Sequence, residues 1–286
     1  MTALKQQLTI RWWAIKNRRR LAQTVRNRLP KSDFDANRIR REQTRRITLL
    51  PDCKAAFHHT LPSLSWSRRT AACRYEWARL QLFMAFVVLP LLQRCDTQFF
   101  HVILADKRWR IPSSLATRKC FDRPRRKVRS SVQRLRDQGE KPIFVAAYEL
   151  SGDRSLTGNY AFEPHVHLLI GGVAQEALKH AFHVRLPISM RGRDKPLKIL
   201  PAPKSELGNL LGYLTKMKAQ DRVQYLGSNG RPNRTSNRMP AAQFAEWLRC
   251  MTTMPITQAI QFGGFAEPIT SRFVHAEMAT IIGDMQ

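Results

Sequence analysis

Three runs in the middle of the chain are typical of β-strands. They cover residues 97–104, 143–150 and 165–170 and are rich in β-branched, aromatic and other apolar side chains. Such residues fit the pleated surface of a sheet. The second and third runs are separated by a segment that contains Gly152, Gly158 and Asn159, residue types that favour turns. The pattern predicts that these two strands form a long hairpin.

Apolar side chains recur at helical spacing around these strands. In residues 205–220, leucines and a methionine form one stripe, and Tyr213 and Lys216 lie on the adjacent polar stripe, which is typical of an amphipathic helix. Residues 123–138, 175–182 and 241–251 predict three more helices, the first of them very basic and ended by Gly139.

The most apolar stretch covers residues 80–92 and is interrupted by Gln81 and Pro90. It is shorter than the roughly 20 residues that a bilayer-spanning helix needs. We therefore expect a buried helix that ends near Pro90, and no stable membrane insertion.

The order of these elements predicts an α+β fold, with a central antiparallel sheet flanked by helices. We expect a basic helical N-terminal region over residues 1–95 and the sheet domain over residues 96–225. A basic loop, at residues 227–238, and a helical tail would follow within residues 226–286.

The net charge of the chain indicates which class of binding partner to expect. The 286 residues include 49 Lys and Arg against 21 Asp and Glu, which gives 49 − 21 = +28. Such a charge favours a polyanion, and nucleic acid before an anionic membrane. It argues against an enzyme for a small uncharged metabolite. The five cysteines form no Cys-x-x-Cys pair and the N-terminus is not typical of a signal peptide, so we expect a cytoplasmic protein in a bacterium.

The segment His165-Val166-His167 offers candidate metal ligands. Residues two apart in a strand project to the same face, so the two imidazoles would lie side by side, and adjacent imidazoles bind divalent metals. A third ligand would come from Glu149, across the predicted hairpin, or from Glu163, two residues before His165. We prefer Glu149, because Glu163 lies next to a proline at the entrance of the strand.

These segments resemble the HUH endonuclease superfamily. His165-Val166-His167 is similar to its His-hydrophobe-His motif, and Tyr213-Leu214-Thr215-Lys216 to the Tyr-x-x-Lys motif of its replication-initiator (Rep) branch. The order, with the histidines before the tyrosine, is also that of the Rep branch. The predicted helix carries a single tyrosine, as in single-tyrosine members, and the resemblance covers about residues 96–220.

The resemblance implies an activity and a place for each residue. The protein would initiate rolling-circle replication of a plasmid or phage-type element by nicking single-stranded origin DNA. His165, His167 and the acidic residue would bind Mg²⁺ or Mn²⁺. Tyr213 would attack the scissile phosphate, which gives a 5′-phosphotyrosine and a free 3′-hydroxyl, and Lys216 would orient the phosphate.

The DNA backbone would be held by two basic groups of residues, one in the predicted helix and one in the predicted loop: Arg125, Arg126, Lys127, Arg129, Arg231, Arg234 and Arg238. Solubility alone would also account for these charges. Host replication proteins are further candidate partners. Two alternatives stay open: a single-tyrosine transposase with the same chemistry, and a basic nucleic-acid-binding protein without catalysis.

Overall fold

The chain forms a mixed β-sheet flanked by helices, as a computed structural model describes it for residues 18–50, 70–183, 196–216, 219–228 and 232–265. The α+β class predicted from the sequence is confirmed. The strands are β1 (Phe99–Leu104), β2 (Ile111–Pro112), β3 (Ile143–Arg154), β4 (Tyr160–Gly171), β5 (Leu197–Ala202), β6 (Gln220–Leu226), β7 (Pro232–Arg238) and β8 (Ile260–Gly263).

Nine α-helices lie in the described residues, and residues 18–50 and 74–94 of the N-terminal region are largely helical. The helices are α1 (Arg18–Arg28), α2 (Ala36–Leu49), α3 (Arg74–Phe83), α4 (Leu89–Arg94), α5 (Asp122–Asp137), α6 (Gln175–Phe182), α7 (Leu207–Leu214), α8 (Ala241–Thr252) and α9 (Ile256–Ala259). One hydrophobic core reaches from Leu21 of α1 to Ile260 of β8. The N-terminal helices therefore pack with the sheet.

The predicted hairpin forms the centre of the sheet. β3 and β4 pair antiparallel from Ile143 with Gly171 to Arg154 with Tyr160, and Glu149 is the partner of His165. The strand order is β5-β1-β4-β3-β6-β7, with β2 against β4 and β8 against β3. The histidine strand β4 thus lies between β1 and β3 in the interior of the sheet.

Two predictions about the sheet are wrong in detail. β3 and β6 pair parallel at Gly152 with Asp221 and the next two positions, so the sheet is not wholly antiparallel. The predicted basic loop contains β7, which pairs with β6 as a hairpin. β6 and β7 are rich in polar side chains and contain few apolar ones. They therefore lack the apolar signal by which a buried strand is predicted.

The helix predicted over residues 205–220 is shorter than expected. α7 ends at Leu214, and β6 begins at Gln220. At the end of α7 the buried Thr215 hydroxyl donates to the Leu211 carbonyl, and the Thr215 carbonyl accepts from the side chain of Gln81. A side chain from α3 therefore satisfies a carbonyl that a longer helix would have used.

The apolar segment is a buried helix, but it does not end at Pro90. A π-helical turn, Met84–Val88, joins α3 to α4, and the Leu89 N–H donates to the Met84 carbonyl. Pro90 lies at the start of α4, two residues after the π-helical turn, and the chain stays helical through it. Of the described residues, Arg74–Arg94 alone are long and apolar enough to cross a membrane, and 72% of that segment's most apolar window is buried inside the fold. It is therefore a core helix of this globular domain.

The two faces of the central hairpin carry different helices. Side chains alternate between faces along a strand, so Glu149 and Tyr148 point to opposite sides. Arg125 of α5 lies over the Tyr148 ring, 5.4 Å from its centroid, whereas Tyr213 of α7 contacts His167, which shares the face of Glu149. The basic helix α5 and the histidine pair are therefore on opposite faces of the sheet.

Candidate metal centre and tyrosine

Glu149, His165 and His167 meet on one face of the central hairpin. The Nε2 atom of His165 lies 3.1 Å from Oε2 of Glu149, and Nε2 of His167 lies 3.8 Å from the same oxygen. One ligand atom from each residue lies within 4.8 Å of the others. Octahedral coordination at about 2.1 Å separates adjacent donors by about 3 Å. Small movements of these side chains would therefore bring the three atoms around one cation.

The three side chains fit a divalent cation electrostatically. Burial lowers the pKa of His167 to about 3, although Glu149 opposes this, so its imidazole is neutral near pH 7 and can coordinate. Burial acts to raise the pKa of Glu149, but His167 and the hydrogen bond to His165 outweigh it, and the pKa lies below its usual value. The carboxylate is therefore ionised, and its side chain is 27% exposed, which leaves the cluster open to solvent.

One buried nitrogen of the cluster lacks a hydrogen-bond partner. His167 is 3% exposed and its Nε2 makes no hydrogen bond. A buried polar atom without a partner is costly. Nε2 faces Glu149, so a cation bound between the two would satisfy it.

Glu163, the other carboxylate considered from the sequence, has different contacts. It is buried, and its Oε2 lies 3.6 Å from Nη1 of Arg222. The group of possible metal ligands within the described residues contains Glu149 and leaves Glu163 out. Because Glu149 is the register partner of His165, the hairpin places its carboxylate beside the imidazole.

Tyr213 of α7 lies against His167, on the sheet face that carries Glu149. Its ring is edge-on to that of His167, with centroids 4.9 Å apart and an interplanar angle of 83°. Burial raises the pKa of the Tyr213 phenol above its usual value, Glu149 adds to the rise, and Arg222 opposes it. The phenol is therefore protonated at neutral pH unless further positive charge is bound beside it.

Lys216 lies beyond the end of α7, so the helical spacing that made it a neighbour of Tyr213 does not apply. Its backbone N–H donates to the Tyr213 carbonyl. Its role in orienting a phosphate stays a prediction. Arg222 of β6, a cation that the sequence did not indicate, contacts the cluster: its Nη2 lies 3.4 Å from Nε2 of His165.

His101 of β1 is the second residue that the sequence did not single out. Its Nε2 lies 3.1 Å from Nδ1 of His167, and its ring is 6.2 Å from that of Tyr213 between centroids. His101 belongs to the apolar strand 97–104, and its presence there was the available signal. Arg222 gave none, because the parallel pairing of β3 and β6 brings it to the site.

The basic residues proposed to hold DNA have different surroundings. Arg125 donates twice to the Gln258 carbonyl and lies over Tyr148, so its guanidinium is engaged within the fold. Lys127 donates to the His183 carbonyl, and burial, with Arg134 and Arg108, lowers its pKa to about 8. Arg126 and Arg129 are exposed on α5.

The remaining three arginines belong to the hairpin region. Arg231 lies outside the described residues, while Arg234 and Arg238 are on β7. Arg238 is exposed and is the register partner of Gln220. None of the α5 arginines shares the sheet face of His165, so DNA contacts there would be remote from the histidine pair.

Comparisons of the chain with protein families, with curated proteins and with solved structures find no match in any of the three.

Proposed function

We propose that this protein is a metal-dependent DNA nicking and joining enzyme with Tyr213 as its nucleophile. The observation that carries the proposal is the contact of Tyr213 with His167, beside the cluster of Glu149, His165 and His167. These residues come from three separate elements, α7, β3 and β4. The charge of +28 supports a nucleic-acid substrate.

A divalent cation held by the three ligands would give the site its positive charge. Mg²⁺ or Mn²⁺ bound there would supply Lewis-acid polarisation of the scissile phosphate. Glu149 and the two histidines would hold the cation from adjacent, paired strands. The sheet therefore fixes the ligands relative to one another, and the exposed side of Glu149 leaves access for a DNA strand.

Tyr213 would carry out the covalent step. Its phenol oxygen bonds to phosphorus while the bond from phosphorus to the 3′ oxygen breaks. The phenol loses one proton and the 3′ oxygen gains one, so the products are a 5′-phosphotyrosine and a free 3′-hydroxyl. One phosphodiester replaces another, so the reverse reaction joins the strands.

Arg222 would support this step by its charge. It contacts His165 and Glu163, and its charge acts to lower the pKa of Tyr213. A guanidinium in this place can also bind two phosphate oxygens at once. Lys216 keeps its predicted role of orienting the phosphate, from the segment that follows α7.

The same proposal includes a biological setting. A free 3′-hydroxyl primes DNA synthesis, so the reaction fits a rolling-circle initiator that nicks origin DNA of a plasmid or phage-type element. Host replication proteins would extend the new end. We place the reaction in the bacterial cytoplasm, which fits the free cysteines Cys73, Cys95, Cys120 and Cys250.

A nicking assay tests the proposal. Full-length protein is incubated with labelled single-stranded DNA, with Mn²⁺ or with EDTA, and the covalent adduct is measured on denaturing gels. The adduct is expected with Mn²⁺ only. It should be lost in Tyr213→Phe and kept in Tyr225→Phe, a matched control at an exposed tyrosine of β6. An adduct of equal yield in Tyr213→Phe would overturn the assignment of the nucleophile.

A further inference from the structure

We infer that His101 is a positioning residue, which accepts a hydrogen bond from Nδ1–H of His167 and so presents Nε2 of His167 to the cation. This role rests on the metal centre of the proposed function. It concerns the strand β1, which contributes no ligand to the cluster.

The contact is built by the sheet. β1 pairs with β4 so that His101 is the partner of Leu169, two residues from His167 on the same strand face. Nε2 of His101 lies 3.1 Å from Nδ1 of His167, and the rings are 5.3 Å apart at an interplanar angle of 30°. Both side chains are buried. Water therefore does not offer Nδ1 an easy alternative partner.

The position of one proton follows from this geometry. A neutral imidazole carries a single N–H. If Nε2 of His167 binds a cation, its proton must be on Nδ1, and that proton points at Nε2 of His101. His101 must then accept, with its own proton on Nδ1. A partner for the other nitrogen of a metal-bound histidine fixes its tautomer and ring orientation.

The same contact also positions the nucleophile. The ring of Tyr213 is edge-on to both imidazoles, 4.9 Å from that of His167 and 6.2 Å from that of His101. Rotation of the His167 ring would therefore disturb the metal ligand and the tyrosine together. His101 limits that rotation through its hydrogen bond.

Two variants separate the hydrogen bond from the volume of the side chain. His101→Gln retains an acceptor, an amide oxygen, that can reach Nδ1–H of His167. His101→Leu fills similar space but accepts no hydrogen bond. His180→Gln, on α6 and exposed, is the matched control for loss of a histidine elsewhere.

The first measurement is Mn²⁺ affinity of the full-length proteins, by calorimetry, with circular dichroism to show that each variant folds. We expect His101→Leu to weaken binding by about 10- to 100-fold, and both His101→Gln and His180→Gln to stay within about threefold of the parent. Unchanged binding in His101→Leu, or equal weakening in His101→Leu and His101→Gln, would overturn the positioning role while the metal centre stands. A parent protein that binds no Mn²⁺ would overturn both.

The second measurement needs no metal. Long-range ¹H–¹⁵N spectra of histidine-labelled protein report which nitrogen of His167 carries the proton. We expect the Nδ1–H tautomer in the parent and in His101→Gln, and a mixture or the Nε2–H tautomer in His101→Leu. An Nε2–H tautomer of His167 in the parent would overturn the inference directly.

Discussion

Tyr213 stands edge-on to His167, with ring centroids 4.9 Å apart, although 45 residues separate them in the chain. The contact joins the short helix α7 to the interior strand β4. It places a phenol next to the imidazole whose Nε2 is buried without a hydrogen bond.

Glu149 should be the carboxylate that matters for cation binding. Glu149→Gln removes the negative charge from the donor group. We expect Mn²⁺ affinity to fall at least about tenfold, because mutation of a metal ligand's hydrogen-bond partner alone commonly lowers metal affinity by that factor. The measurement is the increase in melting temperature on adding Mn²⁺. Bound metal stabilises the fold by about 2.7 kcal/mol at 100 times Kd, and this gain should be small in the variant.

Glu163→Gln and Glu176→Gln are the comparisons for this prediction. Glu163 pairs with Arg222, and Glu176 is exposed on α6 with Lys179 as its partner. Both variants should keep the Mn²⁺-induced stabilisation. A larger loss in Glu163→Gln than in Glu149→Gln would reverse the assignment of the ligand.

Acid should destabilise the fold without metal. Burial lowers the pKa of His167 to about 3 and of His101 to about 4, against 6.5 for an ordinary histidine. Below pH 6.5 the unfolded chain takes up protons that the folded chain does not bind. The free energy of unfolding therefore falls as pH decreases through this window, by about 1.4 kcal/mol per pH unit for each proton.

Urea unfolding with EDTA at pH 7, 6 and 5 measures this dependence. His101→Gln removes one of the two titrating groups, so its slope should be shallower than that of the parent by about 1.4 kcal/mol per pH unit. The slope, rather than the stability itself, is compared, because the substitution also changes packing. Identical slopes in the two proteins would contradict the prediction.

The N-terminal helices should hold α7 in place. A Cβ atom at Gly212 would lie 2.8 Å from the backbone nitrogen of Ser32, in the turn that follows α1. Gly212→Ala must therefore shift α7 and Tyr213 with it. We expect a loss of about 1–3 kcal/mol in stability, as for other overpacked sites, and a fall in nicking of more than tenfold. Asn209→Ala, on the same helix, is the control, and equal nicking in the two variants would contradict this account.

The exposed arginines of α5 should contribute to DNA affinity but not to the chemical step. They lie on the sheet face opposite His165. The double variant Arg126→Ala, Arg129→Ala should therefore bind long DNA more weakly. The slope of log K against log salt concentration should become shallower by about one unit for each lost phosphate contact. Nicking of a short saturating oligonucleotide should not change. Fluorescence anisotropy at several salt concentrations tests this, with Gln133→Ala as control. A lower nicking rate at saturating oligonucleotide would contradict the prediction, because it would mean that the arginines of α5 act in the chemical step.

The sequence was sufficient to predict which residues meet at the centre of the candidate site. A two-residue repeat on a strand places His165 and His167 on one face, and a hairpin brings Glu149 across from them. Helical periodicity identified the stripe of α7 that carries Tyr213. These placements follow from the local geometry of strands and helices, which can be recognised from the spacing of residues in a short stretch of sequence.

The sequence did not predict what depends on distant packing. Arg222 reaches the site through a parallel pairing of β3 with β6, and no local pattern indicates such a pairing. The end of α7 is set in part by Gln81, 134 residues from Thr215. For the same reason Lys216 was predicted to lie on α7, although the helix ends at Leu214.

The most direct test of the account is to map the covalent link itself. Protein is incubated with Mn²⁺ and single-stranded DNA, digested with protease and nuclease, and analysed by mass spectrometry. We predict a peptide that contains Tyr213 and carries a nucleotide through a phosphodiester on the phenol oxygen. A nucleotide on Tyr225 or on any other residue, or no modified peptide while the DNA is cut, would contradict the account.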